Sequence, residues 1–179
     1  MSQRVLFTLG HSTRTWEEFV ALLKVWKIQE LVDVRSIPRS RAFPWFEKMR
    51  MEKALPRAGI TYTHLAALGG LRHTDKNSVN TGWQNKSFRG YADYMQTDDF
   101  QLGLRQLNRR RRKHRVCVMC SEAVWWRCHR RMIADAEVAV PIPVRHIMTE
   151  KSAPRHELTG FAKIQRAKGC APRLTYPSP

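Results

Sequence analysis

The sequence predicts an α/β fold, a single-domain Rossmann-like three-layer sandwich with a mainly parallel sheet of about five strands. Short apolar runs of the strand type alternate along the chain with segments in which apolar residues recur at helical spacing. This alternation is typical of right-handed βαβ crossovers with helices on both faces of the sheet. The 179 residues amount to about one domain, and a hydrophobic share of 42% is ordinary for a globular protein.

The elements follow in order from local signals. A strand at 4–10 precedes a helix at 15–27, where Thr15 and Glu18 form a capping box ahead of the apolar repeat. Gly59 ends a second helix, and Thr97 caps the fourth. The other strands are predicted at 30–36, 60–65, 115–122 and 144–148. The other helices are predicted at 46–59, 88–95, 98–113 and 126–138.

Two segments lack periodicity. Residues 68–87 contain many turn formers and form a predicted long loop, a type of segment that is usually functional or mobile. Residues 150–179 are basic and contain several prolines, so we expect an irregular C-terminal extension that packs on the domain or trails from it. The predicted α/β domain therefore spans 1–149.

The charge indicates the kind of partner. Lys and Arg number 32 against 15 acidic residues, a net charge of +17. Such an excess is typical of proteins that bind nucleic acid. We expect a nucleic-acid partner, DNA rather than RNA, and no membrane partner, because no apolar run approaches the roughly 20 residues that cross a bilayer.

The N-terminus enters the first strand without a signal-peptide pattern, so we expect a cytoplasmic protein. Reduced thiols are then expected at the four cysteines, Cys117, Cys120, Cys128 and Cys170. The sequence leaves the oligomeric state open.

Polar residues follow the predicted strands, and the carboxyl ends of parallel strands meet at one edge of a sheet, where ligands bind. His11, Ser12 and Thr13 lie at a strand-to-helix turn, whose free backbone N–H groups suit an anion. Asp33 and Arg35 share one face of the second strand. Asp33 is predicted either to pair with an arginine without chemistry or to act as a catalytic carboxylate.

The segment "MCSEAVWWRCHRR" at 119–131 carries the densest chemistry. Glu122 has aromatic and arginine neighbours and is predicted either to act as a general acid or base or to position a neighbouring side chain. Cys120 ends a strand ahead of a basic helix, the placement of an activated thiol. Cys117 and Cys120 fall on opposite faces of a strand, while Cys128 and His129 are expected to diverge on a helix. The sequence therefore predicts no metal site, and no cofactor is expected.

Basic and aromatic residues recur throughout the chain. The predicted nucleic-acid or phosphate contacts are Ser12, Thr13, Arg35, Ser40, Arg41, Arg127, Arg130 and Arg131. The candidates for stacking on a base are Trp45, Trp83, Tyr91 and Trp125.

Five segments in this order resemble the DUF488 family over roughly residues 5–148: "TLGHST", "LVDVRSIPRSR", "GITYTHLAALGG", "FRGYADYMQTDDFQLGLRQL" and "VCVMCSEAVWWRCHRRMIA". The resemblance implies a compact Rossmann-like α/β domain, and the family's name implies no activity. "AVWW" departs from the polar or proline-containing turn that is more usual there. The family's motif positions correspond to His11, Ser12, Asp33, Arg35, Pro38, Ser40, Gly69, Gly70, Cys120, Glu122, Cys128, His129 and Arg130.

Together these features predict an enzyme that acts on nucleic acid, a DNA glycosylase-type repair hydrolase that removes a modified or damaged base by N-glycosidic hydrolysis. Asp33 or Glu122 would supply the carboxylate, and His11 would protonate or hydrogen-bond the base. Trp83 or Tyr91 would fill the flipped-base site. The alternatives are a DNA- or RNA-binding module without chemistry and a thiol enzyme that depends on Cys120.

Overall fold

The computed structural model describes residues 5–167, 169 and 171–178, and its centre is a five-stranded parallel sheet in the order β3-β2-β4-β1-β5. Five helices flank this sheet, which confirms the predicted fold class. The strands of the sheet are β1 Leu6–Gly10, β2 Glu30–Asp33, β3 Thr61–His64, β4 Val116–Cys120 and β5 Val144–His146. The helices are α1 Trp16–Val25, α2 Lys48–Arg57, α3 Lys86–Tyr94, α4 Asp98–Lys113 and α5 Arg130–Ala139.

A hydrophobic core lies on each face of the sheet, because side chains along a strand alternate between the faces. Leu6, Val32 and Val118 contribute to the core beneath α3, α4 and α5. Phe7 and Leu31 contribute to the opposite core, beneath α1 and α2. Strands covered on both faces read as continuous apolar runs, which is why the sequence marks β1 and β4 so clearly.

The capping residues predicted from the sequence form hydrogen-bonded helix caps in the structure. The Thr15 hydroxyl accepts from the backbone of Glu18, and the Glu18 carboxylate accepts from the backbone of Thr15. Thr97 caps α4 through the N–H of Phe100. Gly59, with a φ of 77°, follows α2 in the left-handed region that glycine adopts without strain.

The C-terminal segment is more ordered than the sequence predicts. Strands β6 Lys163–Gln165 and β7 Arg173–Thr175 pair antiparallel. Leu174 and Tyr176 are buried in the core beneath α3–α5. The prediction of an irregular tail is therefore wrong for this stretch, because two apolar side chains between the prolines dock on the domain. Cys170 and Arg4 lie outside the described residues.

The run of arginines at the end of α4 divides between two environments. Arg109 and Arg112 are exposed. Arg110 pairs with the buried Glu30 at 2.6 Å, and Arg111 is buried. Two of the four arginines of this predicted basic patch are thus bound within the fold, Arg110 to Glu30 and Arg111 to the side chain of Asn108. Among the described residues, no helix combines the length and the apolarity that a membrane span requires.

A buried chain of hydrogen bonds ties the sheet to the C-terminal segment. The Thr8 hydroxyl is 2.7 Å from His146 Nδ1, and His146 Nε2 is 2.9 Å from His156 Nδ1. His156 Nε2 donates to an Asp135 oxygen at 2.8 Å, and the Tyr176 hydroxyl donates to the other oxygen at 2.9 Å. Paired buried polar groups of this kind stabilise the fold only while each keeps its partner.

Lowering the pH is expected to destabilise the wild-type protein more than a His146→Gln variant. Burial, His156 and Arg130 lower the pKa of His146 to about 2, from an ordinary value of 6.5. Between those values the unfolded chain binds a proton that the folded chain does not. The contribution of the neutral His146 to the free energy of unfolding is therefore complete above about pH 6.5 and is lost as the pH falls.

From pH 7 to pH 5, the wild type should lose about 2 kcal/mol more free energy of unfolding than the variant. Urea denaturation at both pH values measures this difference. Titrating groups that do not contact His146, such as Glu137, whose pKa burial raises to about 7, are common to both proteins and cancel. Equal losses in the two proteins would contradict the assignment to His146.

Candidate active site

The site lies at the carboxyl end of β4, whose following helix packs on the opposite face of the sheet from the helices that follow its two neighbours, β1 and β2. Helix α1 follows β1 and packs on one core, while α5 follows β4 and packs on the other. In open α/β sheets, ligands bind in the crevice that such a divergence creates at the carboxyl ends of the strands. The polar residues predicted at strand ends therefore gather at this edge.

The loops after β1 and β4 are joined backbone to backbone. The N–H of His11 donates to the carbonyl of Cys120 and that of Ser12 to the carbonyl of Ser121, each at 2.9 Å. Ser12 has a φ of 51°, a left-handed conformation rare for serine. These bonds correct the prediction that the backbone of this turn holds a phosphate, since the N–H of Ser12 is already used. Thr13 is exposed.

A cavity of about 300 Å³ opens beside these loops. Glu122 lines it, and among the described lining residues this glutamate is the only carboxylate. Three arginines face the same space. The lining residues are Arg35, Ser36, Ile37, Arg39, Gly70, Leu71, Ser87, Phe88, Cys120, Ser121, Glu122, Arg127, Cys128 and His129.

Asp33 lies beneath the cavity and is fully buried. One of its oxygens is 2.6 Å from Arg35, and the Tyr62 hydroxyl donates to the same oxygen at 2.7 Å. Burial and the Asp33 charge raise the pKa of Tyr62, which keeps that hydroxyl protonated. Of the two roles open to Asp33, these contacts favour orientation of Arg35, because no oxygen of Asp33 faces the cavity.

His11 is buried and stacks on Phe46 with ring centroids 4.1 Å apart. Its Nδ1 donates to the carbonyl of Ser12 at 2.9 Å, and its Nε2 lies 3.4 Å from Arg35. Burial chiefly, with Arg35, lowers the pKa of His11 to about 4. His11 is therefore neutral at pH 7 and does not line the cavity, which corrects its predicted role as a proton donor to a base.

Cys120, Cys128 and His129 converge on the cavity. Their ligand atoms lie within 4.8 Å of one another. His129 Nδ1 is 3.9 Å from the Cys120 sulfur and 3.7 Å from the Cys128 sulfur. The prediction that Cys128 and His129 diverge on a helix is wrong, because α5 begins only at Arg130 and Cys128 is extended, with φ −132° and ψ 149°.

The two thiols differ in acidity. Burial raises the pKa of Cys128, but a hydrogen bond from Cys120 and the charge of Arg130 outweigh it, so the pKa is lowered to about 6. The same hydrogen bond and burial raise the pKa of Cys120 to about 12. The more acidic thiol is thus Cys128, whereas the sequence favours Cys120 as the activated thiol. Cys117 lies in the opposite core, as its spacing from Cys120 predicts.

The predicted phosphate contacts are only partly brought together. Arg35 and Arg127 line the cavity. Arg130 is buried, and its guanidinium donates to the Cys128 sulfur at 3.2 Å and to the carbonyl of Glu122. Contrary to the prediction, Arg130 does not offer its guanidinium to a phosphate, because the side chain is enclosed by protein partners.

The other predicted contacts lie outside the cavity lining. The Ser40 hydroxyl accepts from the N–H of Phe43, and Arg41 is exposed. Arg131 donates to the Thr159 hydroxyl at 3.0 Å. These residues hold local structure or face solvent rather than contact a molecule in the cavity.

The aromatic residues predicted to stack on a base are mostly used by the fold. Trp83 is buried against Phe88, Phe161 and Tyr176, and Tyr91 is fully buried. Neither is accessible to a base, which corrects both predictions.

The two remaining stacking candidates are half-buried. Trp125 stacks on His146 with centroids 4.1 Å apart, and the indole of Trp45 donates to the carbonyl of Arg14. Sequence reasoning missed Phe88, which lines the cavity, because it reads as an apolar position of α3. It also missed Arg39, whose signal was its place in the "RSIPRSR" segment after β2.

Comparison with known proteins gives one match. A family model described as "Domain of unknown function DUF488" matches residues 15–137, more than half of the chain. No curated protein and no solved structure matches the chain.

Proposed function

Since the chain belongs to the DUF488 family, whose description assigns no activity, we propose a function from the cavity itself: hydrolysis of an N-glycosidic bond in nucleic acid. The observation that carries the proposal is the position of Glu122, an exposed carboxylate in a cavity that is also lined by two exposed arginines, Arg39 and Arg127. A carboxylate able to orient water beside cations able to hold phosphate is suited to hydrolysis of a nucleotide unit.

The cavity and the charge of the chain support a polymeric substrate. A volume of about 300 Å³ lies at the lower end of small-ligand pockets and accommodates a single flipped base. Phe88 supplies an aromatic wall, and Trp126, which precedes the lining residue Arg127 in the chain, is 44% exposed. The net charge of +17 supplies affinity for phosphates that does not depend on base sequence.

In the proposed reaction, water adds to C1′ of the sugar and the bond from C1′ to the base nitrogen breaks. The base leaves with that electron pair and a proton, and the products are a free base and an abasic strand. The carboxylate of Glu122 stabilises the positive charge that develops on the sugar and orients the water. Arg39 and Arg127 contact phosphate, and the buried Asp33–Arg35 pair supports the cavity without contacting the sugar.

Glu122→Gln is expected to lower the rate of base removal about 10²- to 10⁴-fold, because the amide neither accepts a proton nor bears the compensating charge. The measurement is an incision assay on labelled single- and double-stranded oligonucleotides that each carry one modified base, followed by alkaline cleavage of abasic sites. Each assay is run once with added Zn²⁺ and once with chelator, so that both a metal-dependent and a metal-independent activity are detected.

Glu157→Gln is the matched control, since Glu157 is exposed and does not line the cavity. It should retain the wild-type rate. Alkali-dependent cleavage lost only in Glu122→Gln supports the proposal. Salt-dependent binding of every strand without any product would overturn it and identify a binding module instead.

A further inference from the structure

Cys120, Cys128 and His129 carry an inference that does not depend on the substrate. We propose that these three residues bind a Zn²⁺ ion whose fourth coordination position faces the cavity. Two sulfurs and one imidazole nitrogen form a ligand set that selects zinc over Mg²⁺ or Ca²⁺, which prefer oxygen. The three ligand atoms already lie within 4.8 Å of one another.

The imidazole of His129 is oriented as a metal ligand. Its Nε2 lies 3.1 Å from the carbonyl oxygen of Val34, and because a carbonyl only accepts, Nε2 carries the hydrogen. Nδ1 is then the unprotonated nitrogen, and it faces both sulfurs. Metal-binding histidines usually donate their second ring N–H to a carbonyl or carboxylate in this way.

The distances fit a tetrahedral ion. Zn–S bonds of about 2.3 Å and Zn–N bonds of about 2.0 Å place sulfur and nitrogen about 3.5 Å apart. The two sulfur-to-Nδ1 distances are 3.9 Å for Cys120 and 3.7 Å for Cys128. Movements of a few tenths of an ångström bring each sulfur to the separation from Nδ1 that coordination requires.

Neighbouring residues restrict the ligands to this arrangement. Arg130 donates to the Cys128 sulfur at 3.2 Å, which stabilises the thiolate form that binds metal. Gly70 packs on the imidazole so closely that a Cβ there would lie 2.5 Å from His129 Nδ1. Any side chain at position 70 would therefore displace the imidazole from its present position beside the two sulfurs.

The side of the cluster that faces the cavity would allow the ion to take part in a reaction. All three residues line the cavity, together with Ser121 and Glu122. Catalytic zinc sites have three protein ligands and leave the fourth position to water. Zn²⁺ lowers the pKa of such a water towards neutrality, and Glu122 lies on the same wall to accept its proton.

The test measures metal binding by the full-length protein in a reducing buffer, with no nucleic acid present. After treatment with chelator, the protein is dialysed against Zn²⁺ and its metal content is determined. The wild type should bind one Zn²⁺ per chain, and Co²⁺ in its place should give the absorption bands of tetrahedral cobalt with sulfur ligands. Cys128→Ser and Gly70→Ala should weaken Zn²⁺ binding, the former by at least about 100-fold.

Cys117→Ala is the matched control, because Cys117 lies on the opposite face of β4 and should not affect binding. If a variant fails to fold, the cobalt spectrum of the wild type still decides, since it reports sulfur ligands directly. A wild type that binds no Zn²⁺, or a cobalt spectrum without sulfur-ligand bands, would overturn the proposal. A failure of glycosylase activity would leave a positive metal result intact, so the two proposals fail separately.

Discussion

Asp33→Asn is expected to lower the free energy of unfolding by about 3–5 kcal/mol, the cost of leaving a buried charge without its partner. Arg35 is 5% exposed and reaches Asp33 at 2.6 Å. The same guanidinium donates to the carbonyl of Phe46 at 2.7 Å, so protein partners replace solvent around its charge. An amide at position 33 supplies no charge to balance it.

Chemical denaturation of three variants tests this prediction. Tyr62→Phe removes only one hydrogen bond to the carboxylate and should cost less, about 1.5–3 kcal/mol. The double variant Asp33→Asn with Arg35→Met removes both charges and should be more stable than Asp33→Asn alone. If Asp33→Asn unfolds within about 1 kcal/mol of the wild type, the ion pair does not have the role assigned to it.

Gly10→Ala is expected to have the second large effect on stability. A Cβ at position 10 would lie 1.8 Å from the carbonyl oxygen of Glu122 and 2.9 Å from the Arg130 guanidinium. The first of these is a main-chain atom, so the β4–α5 loop itself must move. We expect a loss at or beyond the upper end of the roughly 1–3 kcal/mol that overpacking costs.

Gly160→Ala provides the comparison, because a Cβ at Gly160 has no atom within 4 Å. That variant should be at least as stable as the wild type. Thermal unfolding of both variants measures the difference, and NMR shifts of the Ser121 and Glu122 amides report movement of the loop. A Gly10→Ala protein as stable as Gly160→Ala would contradict the close packing of the two loops.

Signals that depend on a few neighbouring residues predicted the fold correctly. The period of two in β4 separates Cys117 from Cys120, and the sheet places them in opposite cores. The capping box of Thr15 and Glu18 and the cap at Thr97 both form. Such patterns need no knowledge of distant residues, because hydrogen bonds within one turn of helix determine them.

The site was less predictable because it depends on where α5 begins. The apolar periodicity of α5 extends back to Trp126 in the sequence, yet Cys128 is extended and ends a short 3₁₀ turn at Trp125–Arg127. Its thiol and the His129 imidazole consequently face the same space. Helix α5 begins four residues later than predicted, and this difference brings Cys128 and His129 together instead of placing them on different sides of a helix.

Long-range packing explains the errors among the aromatic residues. Trp83 lies in a glycine- and asparagine-rich segment, which the sequence reads as exposed loop. Phe161 and Tyr176, from the C-terminal segment, cover its ring. No local pattern shows that residues almost a hundred positions later return to this loop.

The insertion of β4 between β1 and β2 has a consequence for how the protein folds. β1 and β2 are neighbours along the chain but do not pair with each other, so the first βαβ segment cannot form a sheet alone. Phe7 pairs with Cys117, which requires closure of a loop of about 110 residues, an entropic cost typical of slowly folding topologies. The cavity is lined by residues that follow β2 and β4, so it exists only after the centre of the sheet has assembled, and a folding intermediate that lacks β4 has no binding site.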